Sequence, residues 1–344
     1  MSTERKVWMS PKYSSTNKYN ELFSYHIEKQ GIIVKDFKKT NIFSLRKGDI
    51  LHIHWLHPYY QSRNLILFII KSIIFLFALF FIKIKGANLV WTVHNLYPHN
   101  FKFKKLEYLI RKLTLKNCNL ITVASNSIKN LVINEFGIED SKIKIIEHGH
   151  YKGAYTKSNI NFRKRYNISN DSFVFLFVGA IKPYKGIEDL LHAFSKLESY
   201  DKVHLIIAGK QYIGMDRVLD KIKKNSRITL DLRFIPDNEL VDLIETSNVV
   251  VLPYKNITTS GTAILACSLN KPIVCPETPF MLEYFNNEIA FMYNNQDEQG
   301  LLIGLVKAIE EMENQNNMDS YKRFVKNLDW DKIGQKMFDL YNEL

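Results

Sequence analysis

Residues 177–194, FVGAIKPYKGIEDLLHAF, are typical of the end of a buried strand, a polar turn and an amphipathic helix. The turn contains Lys182 and Lys185 as well as two glycines, Gly179 and Gly186. The N-terminus of a helix already offers unpaired backbone N–H groups and a partial positive charge. Two lysines add to that charge, so we expect an anion to bind at this turn.

Short apolar runs alternate with longer helical patterns along the whole chain. In the first half we predict strands at residues 31–37, 49–55, 87–95, 119–125 and 142–149, and helices at 19–30, 65–85, 102–117 and 126–136. In the second half we predict strands at 173–179, 203–208, 227–234, 248–252 and 272–275, and helices at 186–198, 214–224, 237–245, 260–269 and 298–313. Because parallel strands need such crossovers, the pattern predicts an α/β chain with two parallel-sheet domains in tandem.

The length of 344 residues exceeds the usual size of one hydrophobic core, which also indicates two domains. Residues 150–170 lack apolar periodicity and contain several turn residues, so we expect the boundary there. We predict an N-terminal domain over residues 1–155 and a C-terminal domain over 156–325. A helix within 326–344 is expected to pack back on the N-terminal domain.

The excess of basic over acidic residues lies entirely in the first half of the chain. Residues 1–150 hold 23 Lys and Arg against 10 Asp and Glu, whereas residues 151–344 hold 24 against 25, which together give the net charge of +12. We therefore expect the first half to meet an anionic partner. The sequence shows no RNP, zinc-finger or helix-turn-helix signature, so we expect no nucleic acid and favour an anionic membrane surface.

Residues 65–82, LILFIIKSIIFLFALFFI, are apolar except for Lys71 and Ser72. Three interpretations stay open: a membrane span, which Lys71 disfavours; a buried core helix; and a helix in the bilayer interface, which flanking basic residues favour. No apolar signal segment is found at the N-terminus. We expect a cytoplasmic protein associated peripherally with the inner face of the cell membrane.

Histidines follow the predicted strands of the first half at several points. His94 and His99 follow the strand near residue 90, and His148 and His150 follow the strand near residue 145. Ligands of open parallel sheets bind at the carboxyl ends of the strands. A lone histidine is more often a structural hydrogen-bonding group than a catalyst, but four at strand ends make the two interpretations about equal.

A second candidate phosphate site lies within residues 254–268, YKNITTSGTAILACS. Thr258, Thr259, Ser260 and Gly261 stand at the start of an apolar helical run. Hydroxyls at this position either cap the helix or bind a ligand, and a glycine lets a ligand approach the backbone closely. Two such helix starts together with Lys185 suit a diphosphate better than a single phosphate.

Several segments in order resemble one family over nearly the whole chain. LFVGAIKPYKGIEDLLHAF, LIIAGK, IPDNELVDLIETSNVVVLPY, SGTAILACSLNKPIV and a terminal W…LY resemble the C-terminal domain of GT-B glycosyltransferases, and among them family 4. TVHNLYPH, LITVASNSIKNLV and IIEHGHY resemble the N-terminal domain of that family. NKYNELF, at 17–23, is similar to the opening loop of bacterial polysaccharide-assembly members.

This resemblance implies two Rossmann-like parallel-sheet domains facing a cleft, with a nucleotide-sugar on the C-terminal domain and the acceptor on the N-terminal one. By resemblance, Lys185 matches the lysine that neutralises the donor diphosphate, whose charge grows as it leaves. The expected donor-binding residues are Gly179, Lys182, Lys185, Arg233, Ile235, Thr259, Ser260, Gly261, Thr262 and Glu283. The expected acceptor-binding residues are Asn17, Tyr19 and His150. We expect neither a metal nor a cofactor.

The chain departs from the family pattern at two points. Ala180 stands where the family usually has an arginine, and the Glu-x7-Glu pattern of retaining members is missing. The positions of its glutamates are held by Ile257 or Thr258 and by Leu265 or Ala266. Retention and inversion therefore both stay open. An inverting reaction needs a general base, for which His94 and His99 are the candidates.

The resemblance implies transfer of a sugar from a UDP- or GDP-sugar to a membrane-linked glycan, carried on polyprenyl diphosphate or lipid, in surface polysaccharide synthesis. Two alternatives stay open. A nucleotide-sugar epimerase of the same fold would act on a soluble substrate, which leaves the basic, apolar first half unexplained. A non-catalytic nucleotide-sugar-binding protein is compatible with the missing glutamates.

Overall fold

The computed structural model describes residues 5–14, 17–98, 101–220, 222, 225–255, 257–312 and 318–344. The chain divides into two compact units. Unit 1 comprises Met1–Gly149 and Leu328–Leu344, and unit 2 comprises His150–Asn327. Each unit has a six-stranded sheet whose strand pairs are all parallel, so the α/β prediction of two parallel-sheet domains is confirmed.

The strands are β1 Lys6–Ser10, β2 Ile33–Asp36, β3 Ile50–Ile53, β4 Asn88–Thr92, β5 Leu120–Val123, β6 Ile143–Ile145, β7 Phe173–Val178, β8 Val203–Ala208, β9 Ile228–Asp231, β10 Val249–Val251, β11 Ile273–Pro276 and β12 Ala290–Tyr293. Their order is β2-β1-β3-β4-β5-β6 in unit 1 and β12-β11-β10-β7-β8-β9 in unit 2. Helices cover both faces of such sheets, which explains why the central strands are apolar on both sides.

The helices are α1 Tyr19–Glu28, α2 His57–Tyr60, α3 Leu65–Ile84, α4 Lys104–Asn117, α5 Asn126–Phe136, α6 Phe162–Arg165, α7 Ile187–Ser195, α8 Asp216–Asp220, α9 Asp237–Thr246, α10 Gly261–Ser268, α11 Pro279–Tyr284, α12 Gly300–Glu311, α13 Met318–Asn327 and α14 Trp330–Asn342. Most predicted elements are present within a few residues of their expected bounds. The sequence interpretation missed β1, β12 and four helices, α2, α6, α11 and α13.

The division between the units falls at Gly149, upstream of the expected boundary at residue 155. Tyr151 is buried, and its backbone N–H donates to Ser268 Oγ at 2.9 Å, which ties the start of the linker to unit 2. The second division falls between Asn327 and Leu328, two residues beyond the expected bound. The linker therefore belongs to unit 2 because it supplies a buried ring to that unit.

The last helix, α14, completes the core of unit 1. Its buried side chains Trp330, Ile333, Met337 and Tyr341 recur at helical spacing and pack in one cluster with α1. Gly334 allows a close approach, since a Cβ there would lie 2.5 Å from the backbone oxygen of His26. Seventeen residues at the end of the chain thus cover a surface that the first 149 residues leave apolar.

Helix α3 carries two apolar stripes on opposite sides. The inward stripe is buried and consists of Phe68, Ser72, Phe75, Leu79 and Ile82. The outward stripe is exposed and consists of Ile66, Ile70, Ile73, Phe77, Phe80 and Ile84. The buried-core interpretation of 65–82 is therefore correct for one face only.

Candidate functional site

Two glycines at the carboxyl edge of the unit 2 sheet, Gly186 in the turn after β7 and Gly209 after β8, have no space for a side chain without displacement of backbone. At Gly186, where φ is +71°, an added Cβ would lie 1.7 Å from the backbone oxygen of Pro253. At Gly209, after β8, an added Cβ would lie 1.9 Å from the backbone oxygen of Gly179. Two loops therefore approach each other at the carboxyl edge of the sheet, where ligands of parallel sheets bind.

The two lysines of this turn are held by aromatic rings. Lys185 Nζ lies 3.9 Å from the centroid of the Tyr254 ring, and Lys182 Nζ lies 4.4 Å from that of Tyr212. Among the described residues, neither ammonium group pairs with a carboxylate. A ring face orients an ammonium group without neutralising its charge. Both lysines thus offer positive charge that no described carboxylate pairs with. The start of α7, where Gly186 is the N-cap residue, adds unpaired backbone N–H groups, although Glu188 and Asp189 lie in its first turn.

The hydroxyl residues at the start of α10 differ in burial and in role. Ser260 is buried, and its Oγ accepts a hydrogen bond from the backbone N–H of Ala263 at 3.1 Å, so it serves as the N-cap. Thr259, Gly261 and Thr262 beside it are partly exposed. Of the two interpretations for Ser260, capping is the one that the structure supports, whereas its neighbours present groups toward solvent.

The positive charge of Arg233 is paired with carboxylates, unlike the charges of Lys182 and Lys185. Its guanidinium donates to Asp231, at 3.1 Å, and to Glu239, and these carboxylates raise its pKa. Tyr166 also donates to Asp231, at 2.6 Å. Because two carboxylates compensate one guanidinium, this group adds no net positive charge for a diphosphate. Ile235, close by, is buried, and Glu283 is exposed on α11.

Four histidines meet in unit 1. His52 lies in β3, and His54 directly follows the end of that strand. Their rings stack with centroids 4.7 Å apart. His54 in turn stacks on His94, at 5.3 Å, and its Nδ1 lies 3.1 Å from His94 Nε2. His148 joins the cluster through Tyr19, whose ring lies 4.6 Å from it and 5.1 Å from His94.

Burial keeps these histidines neutral. It lowers the pKa of His52 to about 3 and that of His148 to about 4. Burial and then the neighbouring histidines lower the pKa of His54 and of His94 well below the usual value. A neutral imidazole has one nitrogen with a lone pair, so each ring can accept one hydrogen bond at physiological pH.

A buried ion pair on α4, between Arg111 and Glu107, contacts the loop that carries His94. Arg111 Nε donates to Glu107 Oε1 at 2.7 Å, and both side chains are almost completely buried. Arg111 also donates to the backbone oxygen of Asn95 at 3.2 Å, the residue after His94. Tyr60 donates its hydroxyl to Glu107 at 2.7 Å. These contacts fix the backbone beside His94.

Of the three expected acceptor residues, Asn17 and Tyr19 belong to unit 1 and His150 belongs to unit 2. Tyr19 is buried in the histidine cluster, and burial raises its pKa. Asn17 Oδ1 accepts a hydrogen bond from the backbone N–H of Tyr19 at 2.7 Å. His150 belongs to unit 2, where its Nδ1 accepts from the backbone N–H of Lys152 at 3.2 Å. His99 lies outside the described residues.

An Asp-x-Asp triplet is present at Asp329–Asp331, but both carboxylates have structural partners. Asp329 caps α14 by accepting from the backbone N–H of Lys332 at 3.0 Å. Asp331 lies 2.6 Å from His26 Nδ1 and 2.5 Å from Lys29 Nζ. In the described part of the chain, no group of three or more His, Cys, Asp or Glu side chains is arranged to hold a metal ion.

Solved structures share this architecture. The HepE protein of Anabaena, solved with UDP, superimposes with a TM-score of 0.74 over 99% of this chain and 100% of its own, at 14% identity. At that identity the likeness establishes the fold. Among characterised sequences, GDP-mannose:glycolipid 4-beta-D-mannosyltransferase of Xanthomonas campestris is 24% identical over 96% of this chain and 91% of its own. O-antigen chain mannosyltransferase of Salmonella typhimurium is 23% identical over 72% and 67%.

Family models decide the assignment. The model for glycosyl transferases group 1 matches residues 158–327, and that for glycosyltransferase family 4 matches residues 41–150, together about four fifths of the chain. The chain is a GT-B glycosyltransferase. The predicted family resemblance is thereby confirmed. The family 4 match includes strands β3 to β6 of unit 1, and the group 1 match includes strands β7 to β12 of unit 2.

In this glycosyltransferase, the sequence interpretation did not identify His52 and His54 of the histidine cluster. The stretch DILHIHW predicts a buried strand, and these two residues were not among the candidates. Their spacing of two places both on one side of an extended backbone, a signal that would have marked them as a pair. Trp330 and Tyr341 also line the cluster, but they are distant in sequence, and no local pattern connects them to it.

Proposed function

We propose that this glycosyltransferase moves a sugar from a UDP- or GDP-sugar to a membrane-linked glycan, carried on polyprenyl diphosphate or lipid, in surface polysaccharide synthesis. The observation that carries the proposal is the turn of unit 2, where Lys182 and Lys185 stand unpaired beside the start of α7. The names of the relatives support both the nucleotide-sugar and the lipid-linked acceptor.

In this proposal the donor diphosphate binds unit 2. Lys185 and the N-termini of α7 and α10 hold the phosphates, and Lys182 adds positive charge. When the bond from the anomeric carbon to the diphosphate oxygen breaks, the electron pair leaves with the nucleoside diphosphate. Fixed positive charge stabilises that developing anion, so the reaction proceeds without a metal ion.

The base in this proposal is His94. As the acceptor oxygen forms its bond to the anomeric carbon, the hydroxyl proton passes to the neutral imidazole of His94. The proton then returns to solvent. Glu283, Thr259 and Thr262 remain proposed contacts of the donor, and Asn17, Tyr19, His99 and His150 remain proposed acceptor-side residues.

The membrane partner is proposed on the outward stripe of α3. Helix α3 is long and apolar enough to span a bilayer by length and composition. Its inward stripe packs on its own unit, however, so we propose that it lies in the plane of the membrane and inserts the outward stripe. The helix is about 30 Å long.

The basic residues of α3 agree with an in-plane orientation. Lys71 follows Phe68 by three residues and precedes Phe75 by four, so it projects from the flank of the inward side. Lys71 and Lys83 are exposed, and so is Arg63 just before the helix. An in-plane helix places these groups at the level of anionic headgroups, whereas a spanning helix would bury Lys71 in hydrocarbon.

The test is nucleotide release by the purified chain. The protein is incubated with a panel of UDP- and GDP-sugars, with and without polyprenyl-diphosphate-linked or lipid-linked acceptor, and nucleoside diphosphate and product are measured. We expect release that depends on one donor and on the acceptor. Conversion of the sugar without release would identify an epimerase, and tight donor binding without turnover would identify a non-catalytic binding protein.

A further inference from the structure

We propose that His54 is a positioning residue that fixes the tautomer of His94, so that Nδ1 of His94 is the nitrogen that accepts the proton. The proposal rests on the proposed role of His94 as the base. Its evidence is two consecutive contacts in the core of unit 1, one from Met9 to His54 and one from His54 to His94.

The first contact sets the proton on His54. Its Nε2 lies 3.0 Å from the sulfur of Met9, a fully buried residue of β1. A thioether sulfur has lone pairs but no proton to give, so it accepts hydrogen bonds and never donates them. An unprotonated Nε2 would set two lone pairs against each other. The proton of His54 therefore lies on Nε2.

The second contact, between His54 and His94, determines which nitrogen of His94 carries the proton. Because burial keeps His54 neutral, a proton on Nε2 leaves its Nδ1 with a lone pair. That Nδ1 lies 3.1 Å from Nε2 of His94, which must then be the donor of this hydrogen bond. Since His94 is neutral as well, its own lone pair lies on Nδ1.

His52, the histidine of β3, has hydrogen-bond partners of its own. His52 Nδ1 lies 2.5 Å from the hydroxyl of Tyr341, and its Nε2 lies 2.6 Å from Thr92 Oγ1. Thr92 Oγ1 is in turn hydrogen-bonded to Thr122 Oγ1 at 2.6 Å. His52 is thereby fixed by its own hydrogen bonds, and it supports the ring of His54 by stacking on it.

The arrangement also serves the protonated state of His94. When Nδ1 takes the hydroxyl proton, the ring becomes an imidazolium whose Nε2–H donates more strongly to the lone pair of His54. An acid residue plays this part in a Ser-His-Asp triad, where the wrong tautomer of the histidine abolishes most of the rate. Here the partner is a neutral imidazole, and a sulfur atom determines its tautomer.

The tautomers are read directly by two-bond proton–nitrogen correlation spectra of the resting protein labelled with ¹⁵N-histidine. Signals are assigned with His94→Gln and His54→Phe, and His204 in unit 2, whose Nε2 lies 2.8 Å from Thr229 Oγ1, serves as an internal reference. In the wild-type protein we expect His54 and His94 both to carry the proton on Nε2. A proton on Nδ1 of either ring would overturn the proposal.

Two variants test the transmission. Met9→Leu keeps the size of the side chain but removes the acceptor, so we expect the nitrogen shifts of His54 and His94 to move toward a mixture of tautomers. His54→Phe keeps the ring but removes the lone pair, so we expect kcat to fall by at least about tenfold while the KM for the donor is unchanged. Unchanged His94 shifts in both variants would refute the coupling.

The spectra answer independently of catalysis. If the purified protein transfers no sugar, the proposed function fails, whereas the tautomers are still measured on the same sample. If it transfers sugar but His94 carries its proton on Nδ1, the proposed function stands and this inference fails.

Discussion

At the scale of single residues, two unpaired lysines and one neutral histidine carry the proposed chemistry. The lysines were identifiable from sequence because a strand, a glycine turn and a helix follow one another without interruption. The compensation of Arg233 was not, since it depends on Asp231 and Glu239, which only the fold of the β9–α9 connection brings around it. The sequence thus shows where a basic side chain stands along the chain, but only the folded structure shows whether a carboxylate pairs with it.

The first residue-scale prediction concerns Lys185. Replacing it with alanine removes a charge-assisted contact to the diphosphate, so the donor should lose roughly 2–4 kcal/mol of transition-state stabilisation. The measurement is kcat/KM for the donor together with calorimetric affinity for UDP and GDP. Lys196→Ala, an exposed lysine at the C-terminal end of α7, is the control and should behave as wild type. Unchanged kinetics in Lys185→Ala would remove this residue from the site.

The second concerns His94. His94→Ala should lower kcat by at least about a hundredfold, the lower range for general base catalysis, while nucleotide affinity stays near that of wild type. Burial and then His54 lower the pKa of His94, so the neutral base should persist in acid. The acid limb of kcat against pH should therefore lie below pH 6.5. A limb at or above that value, or an active alanine variant, would contradict the assignment.

At the scale of elements, strands and helices with strong periodicity were predictable, and α5 was predicted with its observed bounds. The strand β1 was not, although it lies in the middle of its sheet between β2 and β3. Its sequence KVWMS is short and follows a polar start, so its burial comes from its neighbours in the sheet rather than from its own pattern. The proposed role of His54 was not predictable either, because this residue lies at the end of an apolar run, DILHIHW, that predicts a buried strand.

One element-scale prediction tests the phosphate turn through its backbone. Gly186 and Gly137 both have φ near +65°, but only at Gly186 would a Cβ meet another backbone atom. We expect Gly186→Ala to lower the free energy of unfolding by at least about 2 kcal/mol more than Gly137→Ala does. Denaturant unfolding measures the difference. An equal loss of unfolding free energy in the two variants would mean that the backbone at Pro253 moves aside without a measurable energetic cost, and would contradict the prediction.

The second element-scale prediction tests α3. Replacing Ile73 and Phe77 of the outward stripe by serine removes two side chains from the proposed lipid contact and should weaken binding to anionic vesicles by about 100-fold. The binding should also fall as salt rises. Leu131→Ser on α5 is the control, because Leu131 is a similarly exposed apolar residue of the same unit. Equal binding of all variants, or no preference for anionic over neutral vesicles, would contradict the membrane proposal.

At the scale of the whole molecule, the proposal assigns the donor to unit 2 and the acceptor and the base to unit 1. The two halves of the chain already differ in charge in the sequence, since the basic excess lies in residues 1–150. The GT-B fold was predictable because many segments agree in order. The bounds of the units were not, since they depend on where Tyr151 and Trp330 are buried.

One prediction concerns the complete reaction. Because lysines and helix N-termini hold the diphosphate in the proposal, turnover with donor and acceptor should stay within about twofold of the untreated rate after exhaustive chelation. Addition of Mg²⁺ or Mn²⁺ after chelation is the control and should not raise the rate further. Activity that is lost on chelation and restored by one of these ions would contradict the metal-independent mechanism.

The position of α14 has a consequence for biosynthesis. On the ribosome the first 149 residues emerge before unit 2, yet the helix that covers α1 is made after unit 2 is complete. Until then, Phe23 and Ile27 of α1 lack their partners Trp330 and Met337. The nascent N-terminal unit thus waits, partly uncovered, for about 180 residues of further translation at roughly 5–20 residues per second. During those seconds it is a substrate for chaperones, and a chain released before Trp330 would leave that surface permanently open.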